Sequence, residues 1–290
     1  MRESLDKALA SSWIVLKLVI PIYILADLLY FYNLLSYVSF LVEPFTSLLG
    51  LPPEASLAII SGMFLNLYAA IAFAAPLELS SHQWSVLAVF LGVCHSLIVE
   101  SAIMKKLGIP HLYSYGLRFF AGLAIAYSTA LMPEELFTSV LVEQDFSKAE
   151  YASLSELLAG SLWGALVLSI KIVILISLLI FIMDFIKSRK FVQKSANNVS
   201  KHFSIFAGVL LGITYGAGIL IKESNSLSRH DLFYIATFLS ICHAIIEDTL
   251  LFVIFGADFT MVVVIRTFWA VVLSYLFMQI YRYKEESQNR

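Results

Sequence analysis

Charge, cysteine and proline are all scarce in this sequence. Only 14% of the 290 residues are charged, and there are two cysteines and seven prolines, whereas 60% of the residues are hydrophobic. Water-soluble domains carry about 25% charged residues, so a soluble globular class is excluded and the bilayer is the main solvent of the chain. Both cysteines, Cys94 and Cys242, fall inside apolar runs. A disulfide framework is therefore excluded as well.

The motifs of soluble enzymes are also missing. The sequence has no phosphate-binding loop, no nucleophile elbow and no HExxH pattern, so soluble-type enzyme chemistry has no support. The net charge of −2 gives no basis for a nucleic-acid partner. We expect a protein that is not an enzyme and has no resident cofactor. A membrane-embedded enzyme acting on a lipid-linked phosphate stays open as an alternative.

What the chain does have is apolar runs of membrane-spanning length. Eight such runs lie near residues 12–34, 54–76, 83–104, 110–132, 160–186, 202–221, 231–255 and 259–281. Each has about the 20 residues that a bilayer requires, and continuous runs argue against a β-barrel, whose strands alternate. The first run lacks a small-residue cleavage motif and is interpreted as a span. The composition predicts an all-α polytopic membrane protein.

The chain also repeats itself. Residues 79–127, shifted by 148 positions onto 227–275, give 13 identities in 49 positions without a gap. Among the matched pairs are His95 with His243 and Arg118 with Arg266, while Glu100 aligns with Asp248. Apolar composition inflates such a count, but coincident rare polar residues are hard to obtain by chance. We expect a first membrane repeat over 1–132, an acidic external linker over 133–158 and a second membrane repeat over 159–290.

The distribution of positive charge separates two topologies. Runs 54–76 and 202–221 contain glycines near their middle, and 54–76 also contains Asn66. If these two runs are re-entrant hairpins, six crossings remain, and 15 of the 19 lysines and arginines fall on one side. The positive-inside rule favours this arrangement and places both termini in the cytoplasm. Three crossings per repeat invert the second copy relative to the first, which is typical of transporters in the inner membrane.

Ionisable residues inside the apolar runs are the candidate site residues. Such residues are costly in a membrane and usually mark a pathway, a relay or a ligand site. The candidates are His95, Glu100, Arg118, His243, Glu247, Asp248 and Arg266. On a continuous helix His243 and Glu247 would share a face, whereas Glu100 would lie about 140° round from His95. Because Val99 occupies the position equivalent to Glu247, we expect Glu247 to distinguish the working site.

Three kinds of chemistry compete for these residues. A carboxylate beside an imidazole can relay a proton or clamp a substrate. A metal site could use Cys94, His95, Cys242, His243 and Glu247, although adjacent cysteine and histidine do not have chelating spacing. An anion site could use the two arginines. For the arginines the alternative is a structural role, in which Arg118 pairs with Glu100 and Arg266 pairs with Asp248 or Glu247. For both cysteines the alternative is apolar packing.

The residues resemble a known family. LPPEASLAIISG at 51–62, CHSLIVES at 94–101 and ICHAIIEDTLLF at 241–252 with the later Arg266 are similar to nucleoside-recognition or Gate domain membrane proteins. Related segments occur in concentrative nucleoside transporters, bacterial ferrous-iron transporters and spore-maturation membrane proteins. The resemblance implies a transport-like fold with re-entrant hairpins but does not fix a substrate.

The sequence therefore predicts a secondary transporter in the inner membrane that moves a small polar or anionic solute by alternating access. Protons or another cation could be coupled to the transport of this solute. Asn66 could touch the solute at a hairpin tip or cap a helix there, and a homo-oligomer is an open possibility. A divalent-metal permease, a non-transport scaffold and a lipid-phosphate-binding protein are the alternatives.

Overall fold

The fold is all helical over the part of the chain that can be described. A computed structural model describes residues 2–32, 34, 43–138, 151–188, 205–206, 208–210, 212 and 227–288, and none of these residues lies in a β-strand. The helices are α1 (Arg2–Phe31), α2 (Glu43–Leu48), α3 (Ser56–Phe64), α4 (Leu67–Ala74), α5 (Ser81–Cys94), α6 (Leu97–Lys106), α7 (His111–Ala130), α8 (Leu154–Lys187), α9 (Arg229–Ile241), α10 (Ile245–Val253) and α11 (Phe259–Gln288). Two short 3₁₀ turns cover Pro53–Ala55 and Glu134–Leu136.

Five helical segments within the described ranges are long and apolar enough to cross a membrane. They are Ser4–Phe31, Ser81–Lys106, Leu154–Ile186, Arg229–Val253 and Phe259–Ser287. The predicted crossing at 110–132 corresponds to α7, which has 20 residues and is about 30 Å long, but it is not among the five. The prediction of a polytopic all-α membrane protein is confirmed.

Two of the five segments are interrupted, which corrects the prediction of continuous helices over 83–104 and 231–255. The first divides into α5 and α6 at His95–Ser96, and the second into α9 and α10 at Cys242–Ala244. The periodicity of an apolar run does not reveal such a break, because both limbs remain apolar on either side of it. Each limb is too short to cross a membrane core of about 30 Å alone.

The run 54–76 is also divided. Helices α3 and α4 meet at Leu65–Asn66 and pack against each other. Asn66 is the N-cap of α4, since its side-chain oxygen accepts a hydrogen bond from the Ala69 amide at 3.0 Å. Such a cap replaces a missing intrahelical partner. The predicted second hairpin at 202–221 lies mostly outside the described residues.

Helices pack both within and between the two halves. Helix α1 packs along α8, α5 packs against α7, and α9 packs against α11. Ser80 and Ser228, which are 148 positions apart, cap α5 and α9 through the amides of Gln83 and Asp231. Helix α5 also contacts α10 and α11 of the other half. The helix breaks of the two halves are therefore brought together in the core.

Candidate functional site

The two helix breaks have the same backbone geometry. Ser96 has φ 46° and ψ 39°, and Ala244 has φ 44° and ψ 34°. Among the described residues these are the two non-glycine positions with positive φ. The left-handed conformation costs a residue with a side chain about 1–2 kcal/mol. Strain of this kind, held at equivalent positions of the two halves, is typical of functional sites.

Backbone amides at the two breaks donate hydrogen bonds to glycine carbonyls in preceding segments. The Ser96 amide donates to the Gly62 carbonyl at 2.9 Å, and the Ala244 amide donates to the Gly208 carbonyl at 3.3 Å. A Cβ on Gly62 would lie 2.6 Å from the side chain of Leu91. Glycine thus allows the α3 backbone to approach the first break closely enough to satisfy it.

The arginines cap the ends of the broken helices. Arg118 on α7 donates from Nε to the Val93 carbonyl at 2.7 Å and from Nη2 to the His95 carbonyl at 2.8 Å. Arg266 on α11 donates from Nη2 to the His243 carbonyl at 3.2 Å and to the Gly92 carbonyl at 2.6 Å. Both side chains are 0% exposed. A cation at a helix C-terminus satisfies unpaired carbonyls and the helix dipole, so both arginines have a structural role.

The Glu100 carboxylate is the centre of the cluster. It lies 2.8 Å from Arg118 Nη2, 2.9 Å from His95 Nε2 and 3.2 Å from His243 Nε2. The Glu100 side chain is 8% exposed and that of His243 is 2% exposed. Nitrogen atoms from both halves therefore surround one buried carboxylate. We call Arg118, His95 and His243 the nitrogen cage.

Backbone carbonyls fix how both histidines are oriented. His95 Nδ1 lies 2.8 Å from the Leu91 carbonyl, and His243 Nδ1 lies 2.7 Å from the Leu239 carbonyl. A carbonyl oxygen can only accept, so each Nδ1 carries a hydrogen and donates it. Each Nε2 is thereby directed at Glu100, and exchangeable protons of the cage lie between Nε2 and the carboxylate.

Asp248 differs from its equivalent, Glu100. Asp248 lies 3.6 Å from Arg266 Nη2, and its Oδ2 is buried without a hydrogen-bond partner among the described residues. Aspartate is one methylene shorter than glutamate, which explains the longer distance. Ligand atoms of His95, His243 and Asp248 lie within 4.8 Å of one another. These three side chains have donor types that suit zinc or iron.

The predicted pairing of His243 with Glu247 does not occur through a shared helical face. The break at Cys242–Ala244 places the two residues on different helices, and His243 contacts Glu100 of the other half instead. The break at Ser96 likewise brings Glu100 to His95, which a continuous helix would have separated. Glu247 is partly buried. Its role as the distinguishing residue stays a prediction.

The cysteines lie beside the cluster, buried in packing contacts. Cys242 Sγ is 3.8 Å from Thr267 Oγ1, and Cys94 packs against Gly122 of α7. Neither belongs to the His95, His243 and Asp248 group. Their predicted use as metal ligands therefore gains no support from the geometry.

Sequence reasoning missed Ser96, Ala244 and Gly92. No glycine or proline marks either break, so the local sequence contains no signal for it. Gly92 matters because a Cβ there would lie 2.6 Å from Arg266 Cζ. The sequence did contain a signal for Gly92, because the equivalent position of the second half is Ser240 and the two copies therefore differ there. The two halves therefore hold their arginines differently.

Comparison with known proteins gives one family and one relative. Residues 12–131 match the family model Gate, described as nucleoside recognition. The chain is 30% identical over 282 residues to the uncharacterized membrane protein YvoD of Bacillus subtilis (strain 168), and the alignment covers 91% of this chain and 89% of that protein. No solved structure matches the chain. The similarity to the relative extends through both halves.

Proposed function

The chain belongs to the nucleoside-recognition (Gate) family of membrane proteins, and from this membership we propose that it is a secondary transporter. The solute is small and polar or anionic, and it is moved by alternating access at the junction of the two halves. The observation that carries the proposal is the Glu100 carboxylate, held by nitrogen atoms of both halves at two helix breaks.

Broken helices support transport because they place polar groups where a continuous helix cannot. Unwound backbone at membrane depth is tolerated where it is buried in protein or lines a cavity. Paired discontinuous helices that meet near the midplane are the binding-site architecture of many transporters. Here the carbonyl ends of α5 and α9 and the amide ends of α6 and α10 meet at the cluster. Two inverted repeats, with 133–158 as an external linker, are part of the proposal.

The nitrogen cage joins the two halves, which must move relative to each other in alternating access. Arg118 and His95 come from the first half, and His243 comes from the second. A rocking motion of one half against the other would pull His243 away from Glu100 and open the cage to one side. The cluster is closed in the present conformation, since Arg118 and Arg266 are fully buried. We assign this conformation to the occluded state of the cycle.

Charge balance favours an anion or a polar solute over a divalent metal. Arg118 and Arg266 offset the negative charges of Glu100 and Asp248, and a histidine that donates from both Nδ1 and Nε2 adds a further positive charge. A divalent cation would therefore add two uncompensated charges to a buried site, which is costly. His95, His243 and Asp248 supply ligand atoms for a metal, so the metal permease is the second candidate. A scaffold would show the same ion pairs but no uptake.

Uptake into proteoliposomes tests the proposal. Purified protein would be reconstituted with an imposed pH gradient and given labelled succinate, phosphate, uridine or Zn²⁺ in separate reactions. We expect accumulation of at least one of the first three probes, lost in His243→Ala. His230→Ala is the matched control, because His230 is a partly exposed histidine that pairs with Glu285 at 2.8 Å. Equal uptake by His243→Ala and wild type would refute the assigned site.

A second test does not depend on the solute. Cys94 and Cys242 are buried beside the two breaks, so they report on opening of the cluster. The Cys94→Ala variant keeps Cys242 as its remaining cysteine. In oriented vesicles, alternating access predicts that a membrane-impermeant maleimide labels Cys242 slowly, whichever side of the membrane it is added to. Labelling from one side alone would contradict it. Cytoplasmic termini, as the basic loops suggest, would be measured in the same vesicles with a terminal tag.

A further inference from the structure

We propose that the Glu100 carboxylate is a tethered stand-in for the solute, and that the solute is a carboxylate anion. The inference deepens the proposed function, because it assigns the solute class of the same cluster. It rests on three observations: the donors around Glu100, the unpaired donors beside it and the charged groups that face it.

The cage is already built around a carboxylate. Arg118 Nη2, His95 Nε2 and His243 Nε2 lie 2.8, 2.9 and 3.2 Å from the Glu100 oxygens. Each donor is held by a second hydrogen bond: the histidines donate from Nδ1 to the carbonyls of Leu91 and Leu239, and Arg118 donates from Nε to the carbonyl of Val93. A set of fixed donors that fits one carboxylate fits another of the same size.

Buried donors are left over beside the cage. Arg118 Nη1, Arg266 Nε and Arg266 Nη1 are buried without a hydrogen-bond acceptor among the described residues, and the buried acceptors Glu100 Oε2 and Asp248 Oδ2 have no hydrogen-bond donor there either. Unsatisfied buried donors are uncommon in native proteins and call for an explanation. A solute with a carboxylate and further acceptor oxygens supplies acceptors of the kind these donors lack.

The charged groups on the elements that meet at the cluster support the same solute class. They are His95 after α5, Glu100 on α6, Arg118 on α7, His243 after α9, Asp248 on α10 and Arg266 on α11. A solute carboxylate that takes the place of Glu100 meets the same guanidinium group and the same two imidazoles. The cage therefore compensates the charge of the solute as it compensates that of Glu100.

Removing the stand-in gives a direct test. Glu100→Ala leaves the cage with room for a free carboxylate, and acetate is the probe. Thermal unfolding in detergent would be followed against acetate concentration, with chloride at the same ionic strength as the reference. We expect Glu100→Ala to bind acetate at least about tenfold more tightly than wild type, because a tethered carboxylate competes at a high effective concentration.

A matched control separates loss of the stand-in from loss of any buried carboxylate. Asp27 is a buried carboxylate on α1 that bonds to Ser161 away from the cage, so Asp27→Ala should bind acetate as weakly as wild type does. If Glu100→Ala does not fold, Glu100→Ser, which also removes the carboxylate and leaves room for acetate, replaces it with the same expectation.

The outcomes separate this inference from transport itself. Equal acetate affinity in Glu100→Ala and Asp27→Ala would overturn the stand-in role. Stabilisation by Zn²⁺ that is lost in Asp248→Ala would overturn it in favour of a metal, because Asp248 belongs to the group of possible metal ligands and Glu100 does not. Because these are binding measurements in detergent, the inference can hold when reconstituted uptake fails, and it can fail when uptake succeeds.

Discussion

His243 Nε2 lies 3.2 Å from a carboxylate oxygen of Glu100, although the two residues are 143 positions apart in the chain. His243 follows the broken end of α9, and Glu100 lies in the first turn of α6 after the equivalent break. The contact joins the two halves at the point where neither has a continuous helix. Motion that separates the halves must therefore break this hydrogen bond.

Glu100 and Glu247 should differ in their effect on transport. We expect Glu100→Gln to reduce initial uptake of labelled succinate under a pH gradient at least about tenfold, since loss of one partner in a buried ion network exceeds the roughly 1.4 kcal/mol that tenfold represents. Glu247→Gln should retain more than half of the rate, because its side chain is only partly buried and lies outside the cage. The reverse order would support the expectation from the sequence that Glu247 distinguishes the working site.

Arg118→Lys should destabilise the protein although the charge is kept. Arg118 bonds the carbonyls of Val93 and His95 and pairs with Glu100 at the same time. One ammonium group cannot reach all three, so we expect a loss of about 2 kcal/mol in unfolding free energy. Reversible unfolding in mixed micelles would measure it. Arg229→Lys, at an exposed position, should change the unfolding free energy by less than about 0.5 kcal/mol.

Gly92→Ala should be harmful where Gly116→Ala is not. A Cβ on Gly92 would lie 2.6 Å from Arg266 Cζ, whereas a Cβ on Gly116 has no heavy atom within 4 Å. We expect Gly92→Ala to lower stability by about 1–3 kcal/mol through overpacking. Gly116→Ala should be neutral or stabilising by up to about 1 kcal/mol through helix propensity. Equal thermal midpoints for the two variants would show that Arg266 can move away without cost.

Ala244→Gly should stabilise the protein. Ala244 has φ 44° and is the N-cap of α10 without a side-chain hydrogen bond. Glycine removes the left-handed strain of about 1 kcal/mol, and the gain would be seen in chemical unfolding. Ala236→Gly, a buried helical position in α9, should lose about 1 kcal/mol instead. A loss for both variants would mean that the break is not strained.

The sequence was sufficient to identify the fold class and four of the polar residues that meet in the structure. Composition alone excluded a soluble protein, because so few charges cannot cover a water-exposed surface. The offset of 148 residues picked out His95 with His243 and Arg118 with Arg266, and all four lie in or beside one cluster. Rare polar residues in an apolar background are a strong signal, since each is costly to bury without a partner.

Only the tertiary structure decided which of these residues touch. The helix breaks at Ser96 and Ala244 depend on contacts with Gly62 and Gly208. These glycines lie more than thirty residues earlier, so the sequence around each break does not indicate it. A new helix begins after each break, so the four-residue spacing of His243 and Glu247 does not place them on a shared helical face. The partner of His243 became Glu100, because three-dimensional packing, and not the spacing along one helix, brings the two halves together.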